Sequence, residues 1–71
     1  MSVARVVEIS STSSKGFEDA VVQGIARANQ TLRNVKSAWI KEQEAKVENG
    51  KVVAYKVNVK ITFVLDGKTE G

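Results

Sequence analysis

The chain has 71 residues, with 11 Lys+Arg against 8 Asp+Glu and a net charge of +3, so it is one domain at most and only mildly basic. It contains no cysteine, histidine or proline, which excludes disulfide staples, zinc sites and Ser-His or Cys-His catalysis. A domain this small buries a modest share of its surface, and oligomerisation is the common stabiliser left once disulfides and metals are removed.

Val3 to Ile9 is a β-branched run and reads as the first strand. The stretch before it, Met1-Ser2-Val3-Ala4-Arg5, lacks the apolar core of a signal peptide. No apolar run reaches the roughly 20 residues needed to span a bilayer. The expectation is a soluble, cytoplasmic protein with no membrane partner.

Ser10-Ser11-Thr12-Ser13-Ser14 is polar and turn-like, and Ser13 or Ser14 reads as a helix N-cap. Beyond it, Phe17, Ala20, Val21, Gly24, Ile25, Ala28, Leu32 and Val35 recur at spacings of three and four. That is one apolar face of a helix of about five turns, roughly 30 Å long. Glu18 and Asp19 in the first turn and Arg33 near the end suit the helix dipole. Gly24 falls on the apolar stripe, where close approach to a sheet explains a residue that costs about 1 kcal/mol relative to alanine.

Ser37 to Glu48 and Lys51 to Leu65 read as two long strands. Asn49-Gly50 between them supplies the two positive-φ residues of a type I′ hairpin turn. A uniform register from that turn sets Gln43 opposite Lys56, Lys41 opposite Asn58, Trp39 opposite Lys60 and Ser37 opposite Thr62. It also sets Val53 and Tyr55 opposite Lys46 and Glu44. Strand alternation then places Trp39 on a polar face with Ser37, Lys41, Gln43, Lys56 and Lys60. Ala38, Ile40, Val57, Val59, Ile61, Phe63 and Leu65 share the opposite, apolar face. Asp66 to Gly71 is a polar tail expected to fray.

The predicted fold is α+β: a β-α-β-β chain, residues 1–71 forming a single domain, with a three-stranded antiparallel sheet in the order 1-3-2 curved around one helix. The third strand spans about 50 Å at 3.3 Å per residue, so the hairpin overhangs the helix. One helix also leaves the far sheet face bare. Both mismatches predict contacts with further copies of the chain.

The residues Ser13-Ser14-Lys15-Gly16-Phe17-Glu18-Asp19-Ala20, Ala26-Arg27-Ala28 and Thr31-Leu32-Arg33-Asn34 resemble the helix region of the dodecins. Asn49-Gly50-Lys51-Val52, Tyr55-Lys56-Val57 and Phe63 follow at matching distances, so the resemblance covers nearly the whole chain. It implies a hollow homododecamer that sequesters flavins, riboflavin or FMN, without turning them over. Three positions depart from that pattern. Ser37 stands where the family's stacking tryptophan is expected, Lys56 where its flavin-bonding glutamine is, and Glu44 where a basic residue is often found. Trp39 lies on the same face as Ser37, about 6.8 Å along the strand.

Two function classes are therefore compatible with the sequence. One is a binding and storage assembly for a planar small molecule, with weak flavin affinity. The other is a structural or ion-binding assembly that does not bind flavin and binds ions, such as calcium, or nothing; carboxylates of Glu42, Glu44 and Glu48, repeated by symmetry, are the oxygen ligands such a cation takes. An enzyme is not expected, because no paired acid/base constellation is present. A nucleic-acid partner is not expected either, since one aromatic and a small charge excess fall short of a stacking platform.

Overall fold

The computed structural model of the chain describes residues 3–65. The predicted tail, 66–71, lies outside them. Strand β1 (Ala4–Ser13), helix α1 (Phe17–Ala28), strand β2 (Val35–Glu48) and strand β3 (Lys51–Val64) follow one another in the expected order. The strands form one antiparallel sheet in the order β1-β3-β2. No helix among the described residues is long and apolar enough to cross a membrane.

The core forms where the helix meets the middle of β3. Ala20, Ala28, Val57, Val59 and Ile61 are buried, and Val7, Ile9, Phe17, Val21, Leu32, Val35 and Ala38 pack around them. Val57, Val59 and Ile61 are fully buried, each contributing about 1.5–3 kcal/mol of hydrophobic stabilisation.

The serine run is strand rather than turn. β1 continues to Ser13, pairing Ser10 with Asn58, Ser11 with Val57 and Thr12 with Lys56. The small side chain at Ser11 lets the helix close in: a Cβ added at Gly24 would lie 3.0 Å from Ser11 Cβ and 3.6 Å from Ile9 Cδ1. Neither Ser13 nor Ser14 caps the helix. Gly16 is the N-cap and makes no side-chain cap bond. Buried Ser13 instead donates to Asp19 Oδ2 at 2.6 Å and accepts from the Lys15 N–H at 2.9 Å, tying strand end to helix start.

The helix is also shorter than its apolar spacing suggests. It stops at Ala28, giving 12 residues and about 18 Å. Asn29, Gln30 and Thr31 follow, and the Leu32 N–H and the Thr31 hydroxyl both return to the Ala28 carbonyl. Asn34 takes φ 61, a left-handed turn that asparagine tolerates. Leu32 reaches the core from the loop and Val35 from β2, so the spacing of three and four continues after the helix has ended.

Asn49 and Gly50 have φ 52 and 77, as the hairpin turn requires. The register departing from that turn is not uniform. Glu48 pairs with Lys51 and Val47 with Val52, but Lys46 then pairs with Ala54, leaving Val53 as an extra residue. From there Ala45 opposes Tyr55, Glu44 opposes Lys56, Gln43 opposes Val57 and Glu42 opposes Asn58. Lys41 is an extra residue on β2, which restores the expected pairs Ile40–Val59, Ala38–Ile61, Trp39–Lys60 and Ser37–Thr62. A third shift falls between Val35 and Ser37; between the bulges at Val53 and Lys41 every β2 side chain changes face relative to a uniform register. Gln43 therefore shares the helix-side face with Val57, not the polar face with Lys56. Tyr55 is not bare either: its ring meets Phe17 edge-on, 5.1 Å between centroids.

The overhang is larger than expected. The described chain is 55 Å long and 13 Å in its thinnest direction, against about 18 Å of helix. Val47, Val52 and Val53 near the hairpin tip are exposed, and Ile40 on β2 is 40% exposed.

Ile61→Ala removes a fully buried side chain from the centre of this core, and chemical denaturation is expected to show a loss of about 2–5 kcal/mol. A loss below about 1 kcal/mol would mean that the parity of β3 is wrong. The register has its own test, helped by the absence of native cysteine. Under mild oxidation the pair Glu44→Cys with Lys56→Cys is expected to cross-link within one chain, because directly opposed residues share a face. Gln43→Cys with Lys56→Cys is expected to stay reduced, and its efficient oxidation would restore the uniform register.

Candidate functional site

The sheet face turned away from α1 is built in rows that run across all three strands. Val6, Thr62 and Ser37 form one row, and Glu8, Lys60 and Trp39 the next. Ser10, Asn58 and Glu42 follow, then Thr12, Lys56 and Glu44. Each row takes its central residue from β3, whose alternation sends Val57, Val59 and Ile61 to the core and the residues between them outward. The side chains that bury the core thus also fix which groups the outer face displays.

Trp39 is 72% exposed, the most exposed large apolar side chain of the described residues. Its neighbour across the ladder, Lys60, holds Nζ 5.9 Å from the ring centroid. A cation over an exposed indole contributes roughly 0.5–1 kcal/mol. The bulge at Lys41 has a local consequence: its Nζ reaches Glu8 Oε2 at 3.4 Å, across the width of β3. Both side chains are nearly half exposed, so this pair adds about 1 kcal/mol at most and serves chiefly to order the face.

One row further along, Asn58 Nδ2 donates to Glu42 Oε1 at 2.8 Å. Glu44 pairs with Lys46 at 3.5 Å, next but one along β2. Glu42, Glu44, Lys56, Asn58 and the β2 edge at Gln43 line a concavity of about 280 Å³. It adjoins the Trp39 row without containing the indole.

Of the six ligand-site residues expected from the sequence, five are on this face. Ser37, Trp39 and Lys60 keep the predicted pairing, Lys56 is there opposite Glu44, and Lys41 is there through its bulge. Gln43 is the correction: it lines an apolar groove of about 310 Å³ with Phe17, Glu18, Val21, Val22 and Ile40, on the helix side of β2. Glu8 was missed. Its alternation between Val7 and Ile9 marks it as facing away from the core, but no tight turn links β1 to β3, so nothing local sets it beside Lys60. No group of three or more Asp, Glu, His or Cys side chains that could hold a metal ion occurs among the described residues.

Chemically, the face offers one large π-surface, a row of hydroxyl, amide and ammonium donors, and the carboxylates of Glu8, Glu42 and Glu44, which already have partners. That arrangement suits noncovalent capture of a flat molecule more than bond-breaking chemistry.

The dodecin family model matches residues 3–66. Calcium dodecin of Mycobacterium tuberculosis is 27% identical over 63 residues, which cover 89% of each chain. Among solved structures, dodecin from Streptomyces davaonensis superposes with a TM-score of 0.89 at 33% identity, covering 93% of this chain and 97% of that one. Dodecin from Streptomyces coelicolor gives 0.88 at 31% identity, with 94% and 96% covered.

Proposed function

Since this chain belongs to the dodecin family, we propose that it is a small-molecule binding and storage protein that holds a planar ligand against Trp39. The observation that carries this reading is the 72% exposed indole on a sheet face that α1 does not cover. An aromatic ring left in water loses the stabilisation that burial would bring, and a flat ligand restores it. The functional unit in this proposal is a self-associated shell, a homododecamer, with the overhanging hairpin and the bare face as its contact surfaces. The chain acts by sequestration rather than as an enzyme.

Flavin is the natural first ligand to test, and its affinity in this proposal is weak. Ser37 offers no ring face, and Lys56 has donors but no acceptor. Trp39 offers the stack one row away, opposite Lys60. A second reading is supported by the calcium dodecin relative. In it the shell binds calcium through carboxylates of Glu42, Glu44 or Glu48 drawn from several copies. Glu42 and Glu44 already have partners within the chain, so the planar-ligand reading is preferred.

Calorimetric titration of riboflavin and FMN into the wild type, Trp39→Ala and the double variant Ser37→Trp with Lys56→Gln separates these readings. Losing a stacked aromatic is worth on the order of 1–3 kcal/mol, so Trp39→Ala is expected to weaken binding roughly 5- to 200-fold. The double variant is expected to bind more tightly than the wild type. Flavin binding that Trp39→Ala leaves unchanged would contradict the Trp39 platform. Saturable calcium uptake with no flavin binding would favour the second reading.

A further inference from the structure

We propose that Asn49 is a self-modification site, at which the chain's own backbone converts the asparagine side chain through a cyclic imide to aspartate and isoaspartate. The inference stands apart from the planar-ligand reading and concerns the hairpin tip. Glu48, Asn49, Gly50 and Lys51 are all exposed there. Gly50 has no side chain to shield its nitrogen, and a Cβ built on it would meet nothing within 4 Å. That nitrogen attacks Asn49 Cγ, so that a C–N bond forms as the Cγ–Nδ2 bond breaks. Ammonia leaves, taking up the proton that the Gly50 N–H gives up. Water then opens the ring at either carbonyl, giving aspartate or a main chain lengthened by a methylene. The step needs no oxidant, and its only co-reactant is water.

The other asparagines, Asn29, Asn34 and Asn58, lack these conditions. Asn34 and Asn58 precede Val35 and Val59, whose β-branched side chains crowd the attacking nitrogen. Their amides are also held: Asn34 Nδ2 donates to the Val64 carbonyl at 3.4 Å and Asn58 Nδ2 to Glu42 at 2.8 Å. Asn29 precedes Gln30 and closes the helix, its N–H donating to the Ile25 carbonyl at 2.9 Å. The Asn49 side chain makes no such bond among the described residues. What restrains it is the turn. Ring closure needs the side-chain carbonyl swung over the Gly50 nitrogen, and a type I′ turn, with φ 52 and 77, holds the two apart. Modification therefore proceeds from an opened tip. Val47, Val52 and Val53 beside the turn are exposed, and Val53 stands outside the ladder pairing. Few buried contacts hold the tip shut, which places its opening at the low end of local stability.

Trypsin separates the asparagines, because a Lys or Arg falls between each and the next. The purified protein is incubated in neutral buffer beside a sample unfolded in guanidinium chloride, and both are digested at mildly acidic pH and mapped by mass spectrometry. In the native protein the Val47–Lys51 peptide is expected to gain the mass difference between amide and acid and to split into aspartyl and isoaspartyl forms. The peptides carrying Asn29, Asn34 and Asn58 are expected to keep their mass. Native conversion at Asn49 is expected to be on the order of 10-fold slower than in the unfolded sample, the ratio reading the opening of the tip. Gly50→Asp adds a side chain over the attacking nitrogen and is expected to slow conversion several-fold in guanidinium chloride, where folding plays no part. An Asn49 that keeps its mass in the native protein overturns the inference, whatever the unfolded sample does. Conversion at Asn34 or Asn58 as fast as at Asn49, or wild-type conversion in unfolded Gly50→Asp, overturns it as well.

Discussion

Helix α1 spans about 18 Å, and the central strand it packs on runs 14 residues, about 46 Å. The rest of the molecule follows from that mismatch. The helix covers the stretch of β3 around Val57, Val59 and Ile61, where the buried core is concentrated. It covers neither the hairpin tip, where Val47, Val52 and Val53 are exposed, nor the outer face that carries Trp39. The described residues supply no second covering layer. In the proposed function a ligand and further copies of the chain take the place of that layer.

The paired bulges decide which chemistry occupies that surface. An extra residue at Val53 slips the hairpin register by one, and an extra residue at Lys41 slips it back. Between them Glu42 and Glu44 come to oppose Asn58 and Lys56 on the outer face, while Gln43 turns to the helix side. Bulges also increase local strand twist, which suits a long hairpin that must depart from the short helix. Trp39 and Ser37 lie beyond the second bulge, so their pairing with Lys60 and Thr62 survives the slip.

Element order, strand order and the hairpin turn were legible in the sequence because each has a local cause. Asn49-Gly50 states its own backbone geometry, and β3 states its parity through Val57, Val59 and Ile61. The bulges were not legible, since Val53 sits among residues of similar kind and an extra residue leaves no mark on composition. The serines of β1 misled because the same small side chains that suit a turn also suit a strand under a close helix, as the 3.0 Å approach at Gly24 records. The helix end misled because Leu32 and Val35 reach the core by other routes. The site was partly legible. Trp39 beside Lys60 follows from the turn, whereas Glu8 needs the β1–β3 pairing, which only the tertiary fold supplies.

Trp39, the proposed ligand platform, is directly observable because the chain contains a single tryptophan. The deciding measurement is Trp39 emission as FMN is added, corrected for absorption by the ligand. Saturable quenching is the predicted result. Emission that falls only in proportion to ligand absorbance, with no saturation, would contradict it.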